Sequence, residues 1–177
     1  MHRPLSLVRR LLPLFIALAF PVGWLATAHA QAPSESQVKG AYLYNFTKFI
    51  TWPASAFVDD QEPFQLCVLG QDPLGESLAA LARKSVGARP ITIRHADNPQ
   101  NTAGCHLLFI ALSEQERIPA ILEATRGKPI LTVGDPPEFA RQGGMIHFTR
   151  INDTLRFAIN QETSLKAGLK IHATLLQ

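Results

Sequence analysis

The eight residues Cys105–Leu112, Cys-His-Leu-Leu-Phe-Ile-Ala-Leu, leave this chain few ways to fold. The run is too apolar for either side to face water and too short to span a bilayer, so it predicts a buried central strand. Ser113-Glu114-Gln115-Glu116 follows at once. A side-chain oxygen to cap a helix and two carboxylates in its first turn predict a helix starting at Ser113. Strand, turn and helix make half of a βαβ unit. A second apolar run, Phe64–Leu69, holds Cys67, the one possible partner for Cys105.

Residues 1–30 are set apart by Arg3, Arg9 and Arg10, an apolar run from Leu11 to about Leu25, and Ala28-His29-Ala30. Basic start, short apolar middle and small-x-small end predict a secretory signal, and with it export to the oxidising compartment outside the inner membrane. Those three arginines belong to the 17 Lys and Arg of the chain, so 14 remain against 14 Asp and Glu. Residues 31–177 are therefore formally neutral. The basic balance of the whole sequence lies in the leader, which removes the electrostatic case for binding nucleic acid. Without the leader, nothing predicts a membrane span. Cys67 and Cys105 form either a disulfide, closing a loop of about 39 residues, or two buried free thiols. They lie too far from any His pair to suit zinc, and no metal or cofactor is expected.

Ser34 and Gln37 form a capping-box pattern that starts a helix running to about Thr51. On it Val38, Phe49, Tyr42, Phe46, Ile50 and Leu43 fall in an apolar arc about 140° wide, leaving Tyr44 on the polar side beside Thr51 and Lys48. Trp52-Pro53 ends it. A strand at Phe64–Leu69, a helix at Glu76–Lys84 and a strand at Ile91–Arg94 follow, then a loop over His95–Gly104. After the central strand and its helix come a strand at Ile130–Val133, a hairpin of Met145–Arg150 with Leu155–Ile159 turning at Asn152-Asp153, and a last helix over Ser164–Leu176. The order predicts a single α/β domain: a mixed, mostly parallel sheet of about six strands flanked by helices, Rossmann-like but without a nucleotide fingerprint.

Gly70 with Asp72, and Gly134 with Asp135, end two strands alike and could border one ligand cleft beyond the sheet, although ordinary turn chemistry explains them as well. Gly-x-Ser-x-Gly is absent. Four histidines lie beyond the leader, and His106 and His172 sit on apolar faces, where a hydrogen-bonded structural imidazole is the commoner outcome. Helix-dipole compensation accounts for the acidic pairs Glu114 with Glu116 and Asp135 with Glu138. No catalytic residue is assigned. Tyr44, Lys48 and Trp52 are candidates for a partner surface. A small-ligand binder using the Gly70 and Gly134 turns, and a small exported enzyme, are the rival readings.

Taken together, Val38–Phe49 with Trp52-Pro53, Cys67-Val68-Leu69-Gly70, Cys105–Ile110, Thr132-Val133-Gly134-Asp135, Gly143-Gly144-Met145-Ile146 and Ala167–Ile171 resemble the YfiR-like family of periplasmic proteins. The resemblance covers nearly all of residues 31–177. It implies a non-catalytic regulator that binds the periplasmic sensor domain of an inner-membrane signalling protein, such as a diguanylate cyclase, and restrains it, affecting biofilm through cyclic di-GMP. A homodimer is compatible with it. It also implies that Cys67 and Cys105 are the family's disulfide pair. The second cysteine pair that such proteins can carry nearer the C-terminus has no counterpart here.

Overall fold

The computed structural model describes residues 32–176; the expected leader at 1–30 lies outside the described residues. Helix α1, Glu35–Phe49, runs into β1, Ile50–Thr51; then come β2 (Phe64–Leu69), α2 (Glu76–Leu81), β3 (Ser85–Val86) and β4 (Arg89–Ala96). The central run supplies β5 (Leu107–Ile110), followed by α3 (Ile118–Thr125), β6 (Leu131–Gly134), β7 (Ile146–Ile151), β8 (Thr154–Ile159), α4 (Gln161–Lys166) and β9 (Lys170–Ile171). Seven strands form one sheet in the order β3-β4-β2-β5-β6-β7-β8, and β1 pairs with β9 in a separate two-stranded ribbon. The five inner strands are parallel, with β3 and β8 antiparallel at the two edges. The expected α/β domain is the observed one, with β3 the strand beyond the predicted six.

Period-two alternation divides the core in two. Leu66 and Val68 of β2, Leu107 and Phe109 of β5, and Leu131 and Val133 of β6 face α1 and α2, meeting Leu43, Phe46 and Leu78. Cys67, Leu69, Leu108 and Ile110 face Ile118 and Ile121 of α3. All four residues of β5 are fully buried. The central position follows from this, because only a strand covered on both faces can consist of apolar residues throughout. Cys67 and Cys105 are joined in a disulfide with their Cα atoms 5.8 Å apart, tying β2 to the start of β5 on the α3 side. The Arg94 guanidinium lies 3.0 Å from Cys105 Sγ and donates to the carbonyls of Asn101 and Ala103.

Ser34 caps α1 in the expected capping box with Gln37. The buried face is rotated from the predicted arc, however: Lys39, Gly40 and Thr47 are buried along with Leu43, Phe46 and Ile50, whereas Val38, Tyr42 and Phe49 are half-buried. Gly40 explains the rotation, because a Cβ there would lie 2.9 Å from Ser77 Cβ, so α2 crosses α1 at that point. The predicted last helix stops at Lys166. Gly168 (φ +77°) adopts the left-handed conformation, with Leu169 N donating to Ser164 O and Gly168 N to Leu165 O, a Schellman ending. Leu169 is thereby buried and Leu165 left 58 % exposed. Ser113 does not cap a helix either: Ala111 precedes the 3₁₀ turn Leu112–Arg117 without a side-chain cap, and the Ser113 hydroxyl accepts from Gln71 N at 2.9 Å. Asn152 and Asp153 turn the β7–β8 hairpin with φ of +48° and +57°.

Candidate functional site

Where α1 starts, four charges are linked across the C-terminal end of the sheet. Lys39 Nζ lies 2.7 Å from Asp135 Oδ2, just past β6, and 2.9 Å from Glu35 Oε1 one turn earlier in α1. Arg150 of β7 pairs with the other oxygen of Glu35. The Lys39 and Asp135 side chains are each about nine-tenths buried, and Asp135 Oδ1 has no hydrogen-bond partner among the described residues. Burial pushes the Asp135 carboxyl above its ordinary range despite the Lys39 ammonium, whereas Lys39 pulls the more exposed Glu35 carboxyl down. Glu138, its expected acidic companion, pairs instead with Arg141.

The four turn residues proposed from sequence do not share a cavity among the described residues. Asp72 accepts from Leu74 N at 2.7 Å, the work of a tight turn. Gly70 (φ +93°) lies where a Cβ would meet Ser113 Oγ at 2.5 Å, so the switch between β2 and β5 is filled by the chain's own side chains. Gly134 lies under Phe139, whose ring would be 2.7 Å from a Cβ. A shallow cavity of about 460 Å³ beside Gly70 is lined by Gln71, Asp97, Ser113 and Glu114, and Asp135 is not part of it. Glu114 is buried there with Arg117 3.0 Å away.

His106 lies at the opposite end of the parallel strands from Ser113 and Asp135, so these three do not converge. Its Nδ1 accepts from Gln65 N at 2.9 Å and its Nε2 is 3.1 Å from Ala56 O, which fixes a neutral ring with the proton on Nε2. Phe57 and Phe64 stack on either side. The Trp52 indole N–H donates to His106 O at 3.0 Å, and its ring meets Phe64 edge-on. Trp52 is therefore anchored through its polar edge while part of the ring stays accessible. Burial holds the His106 imidazole below its ordinary range, against the Ala56 contact that favours protonation. An unfolded chain protonates such a ring near pH ~6.5 and the folded chain only below that, so the unfolded state binds more protons in between. Stability is then complete above about pH 6.5 and falls as the pH drops towards the lowered folded value. His147, also held down by burial, acts in the same direction. The expected result is a falling urea midpoint below about pH 6.5, with the His106 ε1 proton titrating only at lower pH; titration at or above the ordinary value would overturn the assignment.

Tyr44 is half-buried on the outer side of α1. Lys48 Nζ and Lys84 Nζ lie 4.3 and 4.8 Å from its ring centroid, and its hydroxyl reaches Ser85 O at 3.4 Å. It lines a groove of about 660 Å³ between α1 and α2, with Ala41, Asn45, Ala80 and Arg83 among the walls. The structure thus brings Tyr44 and Lys48 together. Lys39 and Arg150 are not among the residues that the sequence singles out. For Lys39 the signal is present: it sits in the middle of the apolar arc of α1, where a lone charge needs a buried partner.

No group of acidic, His and Cys side chains suited to hold a metal occurs among the described residues, and no helix among them is long and apolar enough to cross a membrane. No curated protein matches the chain closely enough to count as a relative. The sequence profile of the YfiR/HmsC-like family, by contrast, matches residues 36–177, from the first turn of α1 to the end of the chain. With four-fifths of the sequence matched and the α/β architecture in place, the chain belongs to the YfiR/HmsC-like family.

Proposed function

We propose that this protein works in the periplasm by binding the periplasmic sensor domain of an inner-membrane signalling protein, a diguanylate cyclase in the first instance, and restraining its activity. The family match carries this reading, because at family level it supports a non-catalytic periplasmic regulator of cyclic di-GMP signalling. Two further features agree with it. A disulfide braces the two central strands, as suits an oxidising compartment. The polar groups at the sheet ends are engaged with one another, Lys39 with Asp135, Ser113 with Gln71 and His106 with Gln65, as a rigid binding scaffold requires.

The working surface in this proposal is the outer side of α1 around Tyr44 and Lys48, with Trp52 as the strut that fixes where the helix ends. Deleting the gene is expected to raise cellular cyclic di-GMP, and the full chain supplied in trans to restore it. Unchanged levels would overturn the regulatory reading. Tyr44→Ala is expected to weaken capture of the membrane partner while lowering the melting temperature by only about 2–4 °C, the size of a 1 kcal/mol loss in a domain of this length. Unfolding of that variant would place Tyr44 in the core.

A further inference from the structure

The groove between α1 and α2 gathers three cations, Lys48, Arg83 and Lys84, against one acid, Glu76. Lys48, Arg83 and Lys84 are exposed at its margin, and none of their side chains forms an ion pair or a hydrogen bond with another described residue. The two tracts that line it, residues 37–45 and 76–84, contain one acidic residue, Glu76. Glu76, in the first turn of α2, is the acid in the lining, at a position where the helix dipole favours a carboxylate. Residues 31–177 are neutral as a whole, so the excess belongs to this face and not to the domain's average. The lining also includes the small apolar Ala41 and Ala80, with the buried Leu81 and the Tyr44 ring beside them. At about 660 Å³ the groove has room for a few side chains but not for a folded element.

We infer that the groove seats a short acidic segment of the protein partner, with an aliphatic side chain against Ala41 and Ala80 and carboxylates meeting Lys48, Arg83 and Lys84. This rests on the partner-binding reading above and gives the chemistry of the partner. Charge complementarity at an exposed rim acts mainly on the rate of encounter, so binding here weakens as salt rises.

The test uses the full chain, exported by cells, with Asn45 in the groove replaced by a photoactivatable residue, and with Ile151 and Leu165, both exposed elsewhere, replaced in turn. Irradiation of intact cells is expected to join position 45 to a membrane protein, and mass spectrometry to place the bond beside a cluster of Asp or Glu. Lys48→Glu with Lys84→Glu is expected to cut that adduct about tenfold while circular dichroism stays as in the wild type and the melting temperature falls by only about 2–4 °C, from the lost contacts with the Tyr44 ring. An adduct from Ile151 or Leu165 but none from Asn45, a joined segment without carboxylates, or full yield after the charge reversal would each overturn the groove assignment and leave the regulatory reading standing. A melting temperature raised by citrate, lost in the double variant and without any adduct at position 45, would assign the groove to a small polyanion instead. Absence of a membrane-protein adduct from all three positions would remove the partner-binding reading together with this one.

Discussion

Lys39→Met is expected to destabilise the domain by about 3–5 kcal/mol, the usual result of stripping one partner from a buried ion pair. The Asp135 carboxylate would then lie nine-tenths buried with neither oxygen paired, since Oδ1 already lacks a partner among the described residues. Glu35 loses its contact too, but it is exposed enough for water to compensate. Asp135 already has a folded-state value raised by burial, and removing the ammonium raises it further. A carboxyl of this kind is protonated in both states below its unfolded value and costs stability as the pH climbs through the raised folded one. The defect is therefore expected to shrink on acidification. Lys39→Met with Asp135→Leu should recover most of the loss, because the pair as a whole offers little net stability over apolar packing. A single variant within about 0.5 kcal/mol of the wild type by urea titration would show that the pair is solvated in solution.

Cys67→Ala with Cys105→Ala is expected to cost roughly 3 to 4 kcal/mol, or about 10 °C in melting temperature, from restored freedom in an unfolded loop spanning 38 positions. The bridge joins β2 to the start of its parallel neighbour β5, and parallel neighbours can meet only across a long connection. Both cysteines are buried, so dithiothreitol without denaturant is expected to reduce the native protein only as fast as it opens. A double variant melting within about 2 °C of the wild type would mean that the unfolded chain keeps β2 and β5 together unaided.

The parts of this fold that were readable in the sequence are those in which one local signal decides. Four residues buried on both faces made β5, Ser34 with Gln37 started α1, and Asn152-Asp153 turned a hairpin. Where two signals compete, the sequence misleads. The apolar spacing of Leu165, Leu169 and Leu176 continues a helix on paper, but Gly168 supplies a left-handed stop and the chain turns away. Ser113 has the side chain of a cap, yet the nearer demand comes from the amide of Gln71 across the switch between β2 and β5. Strands of two residues, β1, β3 and β9, carry no periodicity at all and exist because a partner lies alongside. At the candidate site, Tyr44 and Lys48 could be read from one helix wheel. Lys84 and Arg83 could not, because only the crossing of α2 over Gly40 brings them to the same face.

The ribbon of β1 and β9 joins Ile50 to Ile171, with His172 N also donating to Phe49 O at 2.8 Å. The end of α1 is thus fastened by residues more than a hundred positions later. A polypeptide appearing N-terminus first, from a ribosome or a translocation pore, has α1 in hand early and must wait for Lys170–His172 before that fastening can close. Until then the end of the helix bearing Tyr44 has the Trp52 indole on His106 O but not this ribbon, and a chain cut short before Lys170 would never gain it.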